Sequence, residues 1–174
     1  ALGHSLGGAT AALLAGGRYR AEGMAAFCLS KEGSTDRGCG YRSGGSPQPV
    51  TAPPTADSRV RAIVLLDPAI GPGFDRAGLT RVKAPALVIG SVANDFMPFA
   101  LNAGRYADFL PNAEAIRLNG GEGHFIYLDE CSIPVDAMGV PICGDRSGVT
   151  RGEVHQGMGA AIIAFFTRHL RVRA

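Results

Sequence analysis

The opening run Ala1-Leu2-Gly3-His4-Ser5-Leu6-Gly7-Gly8 constrains this chain more than any other stretch. Gly3 to Gly7 fit G-x-S-x-G, a strand-to-helix turn sharp enough to lift a serine hydroxyl above the end of a sheet. A serine there has a strained backbone, and side chains two residues to either side would collide, so glycine is expected at both places. The following helix N-terminus favours developing negative charge. The N–H of Leu6, next after the serine, is the expected oxyanion donor.

Glycine is abundant here, 25 of 174 residues, so a glycine-rich helix start with an ordinary serine cap competes with this reading. The run Ala9-Thr10-Ala11-Ala12-Leu13-Leu14-Ala15 argues against it, because small apolar residues suit a helix packed tightly on a sheet. A buried strand should precede the motif, and only Ala1-Leu2 stands there. The sequence therefore reads as the C-terminal part of one larger domain, with its N-terminal strands missing.

The rest of the chain supplies the sheet. Helix is expected from Ser5 to about Tyr19-Arg20, weakened by Gly16-Gly17. Residues 30–58, rich in Gly, Ser, Thr, Pro and Arg, read as a flexible surface insertion or part of a lid. Val60–Leu66 and Ala86–Ser91 are near-continuous apolar runs, as in parallel strands buried on both faces. A helix near Phe99–Leu110, a short strand Ala115–Leu118 and a closing amphipathic helix over 151–171 complete the pattern. In that last helix Val154, Met158, Ala161, Ile162, Phe165 and Phe166 share a face. Alternating strands and helices imply an α/β fold with a parallel sheet flanked by helices.

Functional groups in such sheets gather at the carboxyl ends of the strands. Strand exits here carry Ser5, Asp67, Asp95 and His124, in the chain order Ser, Asp, His. His124, in Gly120-Gly121-Glu122-Gly123-His124, suits a base that takes the serine proton and returns it to a leaving group. His4 is expected to pack beside the serine, and His155 and His169 to lie on the surface of the closing helix. The acid that orients the imidazole is Asp95, after the penultimate strand, or Asp67, which closes the strand before it.

Composition bounds the partners. With 46% hydrophobic and 18% charged residues the chain is globular, and a net charge of +2 gives no reason to expect nucleic acid. No apolar run approaches the roughly 20 residues of a membrane span. Cys28 and Cys39 are 11 apart, Cys131 and Cys143 12 apart. None shows C-x-x-C spacing, so metal is not expected. Local pairing of four cysteines leans towards periplasm or exterior, against four free thiols in a cytosolic protein; three pairings are open. Oligomeric state is not readable.

The stretches GHSLGGATA, VRAIVLLDPAIGPGF, APALVIGSVANDFMPF and GGEGHFIYL, with the tail from CSIPVDAMGVPIC onward, carry a resemblance. The chain resembles the C-terminal part of an α/β-hydrolase of the predicted dienelactone hydrolase and platelet-activating-factor acetylhydrolase-like group. The resemblance implies Ser5 as nucleophile and His124 as base. Its acetylhydrolase branch places the acid where Asp67 stands, and most other hydrolases place it near Asp95. Dienelactone hydrolases use a cysteine nucleophile, so serine here favours an esterase or lipase-like enzyme. The expected activity is cleavage of small-molecule carboxylic esters through an acyl-enzyme, with no cofactor. Thioesterase, peptidase or other acyl transfer, and a non-catalytic α/β module lacking half its oxyanion hole, are the alternatives.

Overall fold

A computed structural model describes residues 1–42, 56–131, 133 and 135–170. Four parallel strands form the sheet in sequence order: β1 (Leu2–His4), β2 (Ile63–Leu66), β3 (Ala86–Ser91) and β4 (Ala113–Leu118). Their register sets Leu2 against Val64, Val64 against Leu87, and Leu87 against Glu114. Every residue of β2 and β3 is buried, which is why their apolar runs are unbroken. Strand β4 lies at the edge and is half exposed, and its sequence alternates accordingly.

The two faces take alternate residues of each strand. Ile63, Leu65, Ala86 and Val88 pack with Ala9, Ala12, Phe74 and Tyr106, under helices α1 (Leu6–Leu14), α3 (Arg76–Leu79) and α4 (Ala103–Phe109). Val64, Leu66, Leu87 and Ile89 face the opposite way, against Met158 and Phe165 of α5 (Arg151–His169). The closing helix thus presents the face its spacing predicts. No helix among the described residues is long and apolar enough to cross a membrane.

Within the first 58 residues three elements differ from expectation. Helix α1 stops at Leu14 rather than near Arg20. Gly16, at φ +99°, donates to Leu13 O at 2.9 Å and Gly17 to Ala12 O at 2.9 Å, the paired bonds of a Schellman stop. A further helix, α2 (Ala21–Cys28), follows where no element is expected. Of the expected insertion, residues 32–42 form two 3₁₀ turns with Gly33 and Asp36 buried; the remainder, 43–55, lies outside the described residues.

Both local cysteine pairs are disulfides, Cys28–Cys39 and Cys131–Cys143, with Cα separations of 5.4 and 5.1 Å. The second closes a loop carrying the two-stranded hairpin β5 (Asp136–Ala137) and β6 (Val140–Pro141). Arg151 anchors that loop from within: its buried guanidinium pairs with Asp145 and donates to the carbonyls of Leu128, Asp129 and Ile142.

Candidate active site

Four strand exits converge at the carboxyl end of the sheet. Ser5, between β1 and α1, sits at φ 56°, ψ −121°, a conformation costly for any residue with a Cβ. The surroundings hold it there. Its N–H donates to Leu66 O at 2.9 Å, and its carbonyl accepts from Gly8 N at 3.0 Å and Ala69 N at 3.1 Å.

Crowding around this turn falls on Gly3 and Gly8. A Cβ at Gly3 would stand 2.2 Å from the Gly7 carbonyl, and one at Gly8 3.0 Å from Pro68 Cβ. A Cβ at Gly7 meets nothing within 4 Å. Of the two motif glycines Gly3 alone is crowded, and beyond the serine the crowding falls on Gly8 instead of Gly7. Leu6 opens α1, so its N–H is among those with no acceptor inside the helix, and its side chain is exposed.

His124 opens a 3₁₀ turn after β4 and is buried, 1% exposed. Its Nε2 lies 3.0 Å from Ser5 Oγ. Its Nδ1 lies 3.5 Å from Oδ2 of Asp67, equally buried, at the end of β2. An Nε2 that accepts from the serine hydroxyl leaves the ring proton on Nδ1, facing that carboxylate. Asp67 also has positive φ, 39°. Its Oδ1 accepts from Ser91 N at 3.0 Å, and its Oδ2 from Asn94 Nδ2 at 2.9 Å. Burial pushes the Asp67 carboxyl above its ordinary range, opposed by the bonds from His124 and Ser91.

Asp95 occupies a different place. Its Oδ1 accepts from the main-chain N–H of His124 at 2.9 Å, and its Oδ2 lies 3.4 Å from Arg146 Nη2. Two carboxylates thus flank His124, with Asp67 facing the ring and Asp95 on the backbone. Loop position after the penultimate strand favours Asp95 as orienter of the imidazole; the side-chain geometry favours Asp67.

Aromatic rings enclose the imidazole. Phe96 stacks on it at 5.2 Å and His4 lies at 4.6 Å on centroids, with His4 Nε2 2.9 Å from His124 O. Burial, with repulsion from His124, lowers the His4 pKa to about 4 against the opposing hydrogen bond, so the ring is neutral near pH 7 and Nε2 is the donor. His155, expected at the surface, is half-buried and lies 2.6 Å through Nε2 from Ile126 O, while His169 is exposed beside Glu114.

Several residues of this region carry no motif. Asn94 links Asp67 to the loop, its Oδ1 accepting from the N–H groups of Phe96 and Met97 at 2.8 Å. Arg37, inside the first disulfide loop, reaches three carbonyls: its N–H donates to Phe96 O, its Nε to Asp95 O and its Nη1 to Met138 O. Among the described residues no group of three or more His, Cys, Asp or Glu side chains is arranged to hold a metal ion.

Fold and site together define a parallel α/β protein with a strained serine at a strand-to-helix turn, in contact with a buried imidazole that faces a buried carboxylate. No family model, curated protein or solved structure matches the chain.

Proposed function

We propose that the protein is a serine hydrolase of the α/β-hydrolase class that cleaves carboxylic esters through an acyl-enzyme at Ser5. The observation that carries this reading is the 3.0 Å contact between His124 Nε2 and the Oγ of a serine held at φ 56°. A strained serine in line with a buried base has little use as architecture.

In the proposed cycle Ser5 Oγ attacks the ester carbonyl carbon while its proton passes to His124 Nε2. The N–H of Leu6 at the start of α1 donates to the oxyanion. Asp67 stabilises the imidazolium, and the long 3.5 Å contact shortens as it becomes charge-assisted. The carbonyl–alkoxy bond breaks and His124 protonates the departing alkoxide. Water then attacks the acyl carbon, giving its proton to His124, and the carboxylic acid leaves as Ser5 regains its proton. Two disulfides suit an oxidising compartment, and we place the protein in the periplasm or outside the cell.

The test is labelling with a fluorophosphonate probe, followed by peptide mapping. Modification confined to Ser5, and loss of ester turnover in Ser5→Ala, are expected. A folded protein that does not label would sink the reading.

A further inference from the structure

The loop that delivers His124 is poorly built to hold a side chain still. It reads Asn119-Gly120-Gly121-Glu122-Gly123, with Gly121 at φ +97°. Three glycines in five residues give the backbone wide freedom. The imidazole nevertheless needs one orientation, because a misplacement of about 1 Å costs on the order of 10²-fold in rate.

The main chain of His124 is gripped at both ends. Its N–H donates to Asp95 Oδ1 at 2.9 Å, and its carbonyl accepts from His4 Nε2 at 2.9 Å. The two holders come from different strand exits, His4 from β1 and Asp95 from the loop after β3. Each is itself fixed. Arg146 lies 3.4 Å from Asp95 Oδ2 and also donates to Ala93 O and Gly121 O, tying the two loops together. Arg37 Nε donates to the Asp95 carbonyl. The His4 ring lies against those of His124 and Tyr127.

Gly123 gives an independent sign that this approach is built in. A Cβ there would lie 2.6 Å from Asp95 Oδ2 and 2.9 Å from Oδ1. Its φ of −88° makes no demand for glycine. Space for the carboxylate does.

We propose that Asp95 and His4 are positioning residues, which clamp the main chain of His124 so that its imidazole meets Ser5 and Asp67 in one orientation. The role rests on the nucleophile reading above. It gives Asp95 a task distinct from that of Asp67: a main-chain acceptor, not a partner of the ring. Removing the clamp therefore slows chemistry at Ser5 and leaves substrate binding alone.

The experiment compares Asp95→Ala, Asp95→Asn, Gly123→Ala, His4→Ala and His4→Gln with wild type. Circular dichroism checks the fold, amide hydrogen exchange follows His124, and fluorophosphonate labelling gives the rate at Ser5. In Asp95→Ala the His124 amide should exchange at least about tenfold faster, as expected when a protecting hydrogen bond is lost. Labelling should slow by about 10- to 100-fold, and ester turnover should fall in kcat with KM unchanged. Asparagine keeps an acceptor oxygen and should recover both readouts to within about threefold of wild type. Gly123→Ala should follow Asp95→Ala, and glutamine at position 4, which keeps a donor, should outperform alanine. Unchanged exchange and labelling in Asp95→Ala would overturn the clamp. So would an Asp95→Asn variant as impaired as alanine, since the charge would then matter and not the acceptor. A wild-type Ser5 that fails to label while His124 stays protected would remove the nucleophile reading, and the positioning role with it.

Discussion

Oδ2 of Asp67 and Nδ1 of His124 face each other at 3.5 Å, each within a side chain 1% exposed. A charge that develops on the ring has this carboxylate as its buried neighbour, and low local dielectric magnifies the effect. Asp67→Asn keeps the shape but presents a neutral amide to a ring that needs an acceptor. For the proposed ester hydrolysis, loss of kcat by about 10³–10⁴ is expected, the scale on which making the acid of a Ser-His-Asp triad an amide acts. Steady-state hydrolysis of a p-nitrophenyl ester measures it, and activity within tenfold of wild type would remove Asp67 from the role.

The serine turn yields a prediction that the motif alone states differently. Alanine at Gly3 drives a Cβ to 2.2 Å from the Gly7 carbonyl, so the turn must open and Ser5 must move. Alanine at Gly7 enters open space and replaces a helical glycine, a change worth up to about 1 kcal/mol in favour of the helix. Gly3→Ala should abolish Ser5 labelling, whereas Gly7→Ala should fold and label. Equal damage from both would contradict the crowding of Gly3 and the open space at Gly7.

How much of this was legible in the sequence follows from how local each signal is. Ser5 stands out because strain, glycine and the small-residue helix lie within ten residues. The apolar runs of β2 and β3 and the 3.6-residue face of α5 are likewise local patterns. The choice between Asp67 and Asp95 is not local. Both close strand exits, and only the placement of the His124 ring and backbone between them separates their contacts. Helix α1 illustrates a subtler limit, since Gly16-Gly17 reads as a weak point while its Schellman bonds make it an end. Asn94 reaches Asp67, 27 positions away, and Arg151 reaches Leu128 and Asp129, 23 and 22 positions away, separations that no spacing rule flags.

His4 ties stability to pH. Its pKa is about 4 in the folded chain against 6.5 for an ordinary histidine, so the unfolded state binds the extra proton first as pH falls. Stability carried by the neutral ring is full above about pH 6.5 and is lost progressively towards pH 4, on the order of 3 kcal/mol in all. Asp36 and Asp67, both raised by burial, act in the opposite sense at the acid end. The difference between wild type and His4→Gln isolates the histidine. Urea unfolding at pH 7.5, 6, 5 and 4 should show that difference shrinking as pH falls, and a constant offset would refute it.

The first disulfide loop is held by a pair that lies wholly inside the protein. Asn102 donates through Nδ2 to Asp36 Oδ2 at 3.0 Å and accepts at Oδ1 from Gly71 N at 3.0 Å. Asp36 Oδ1 takes the N–H of Gly38, inside the loop closed by Cys28 and Cys39. Asn102→Ala removes a donor from a buried carboxylate and an acceptor from a buried amide, which should cost about 2–4 kcal/mol. Burial already raises the Asp36 carboxyl, and a protonated Asp36 is cheaper to leave without its partner than an ionised one. The penalty of Asn102→Ala should therefore be larger at pH 8 than at pH 4. Chemical denaturation of wild type and variant at the two pH values decides it; a penalty that is equal, or larger in acid, would mean that the ionised carboxylate is not what Asn102 stabilises.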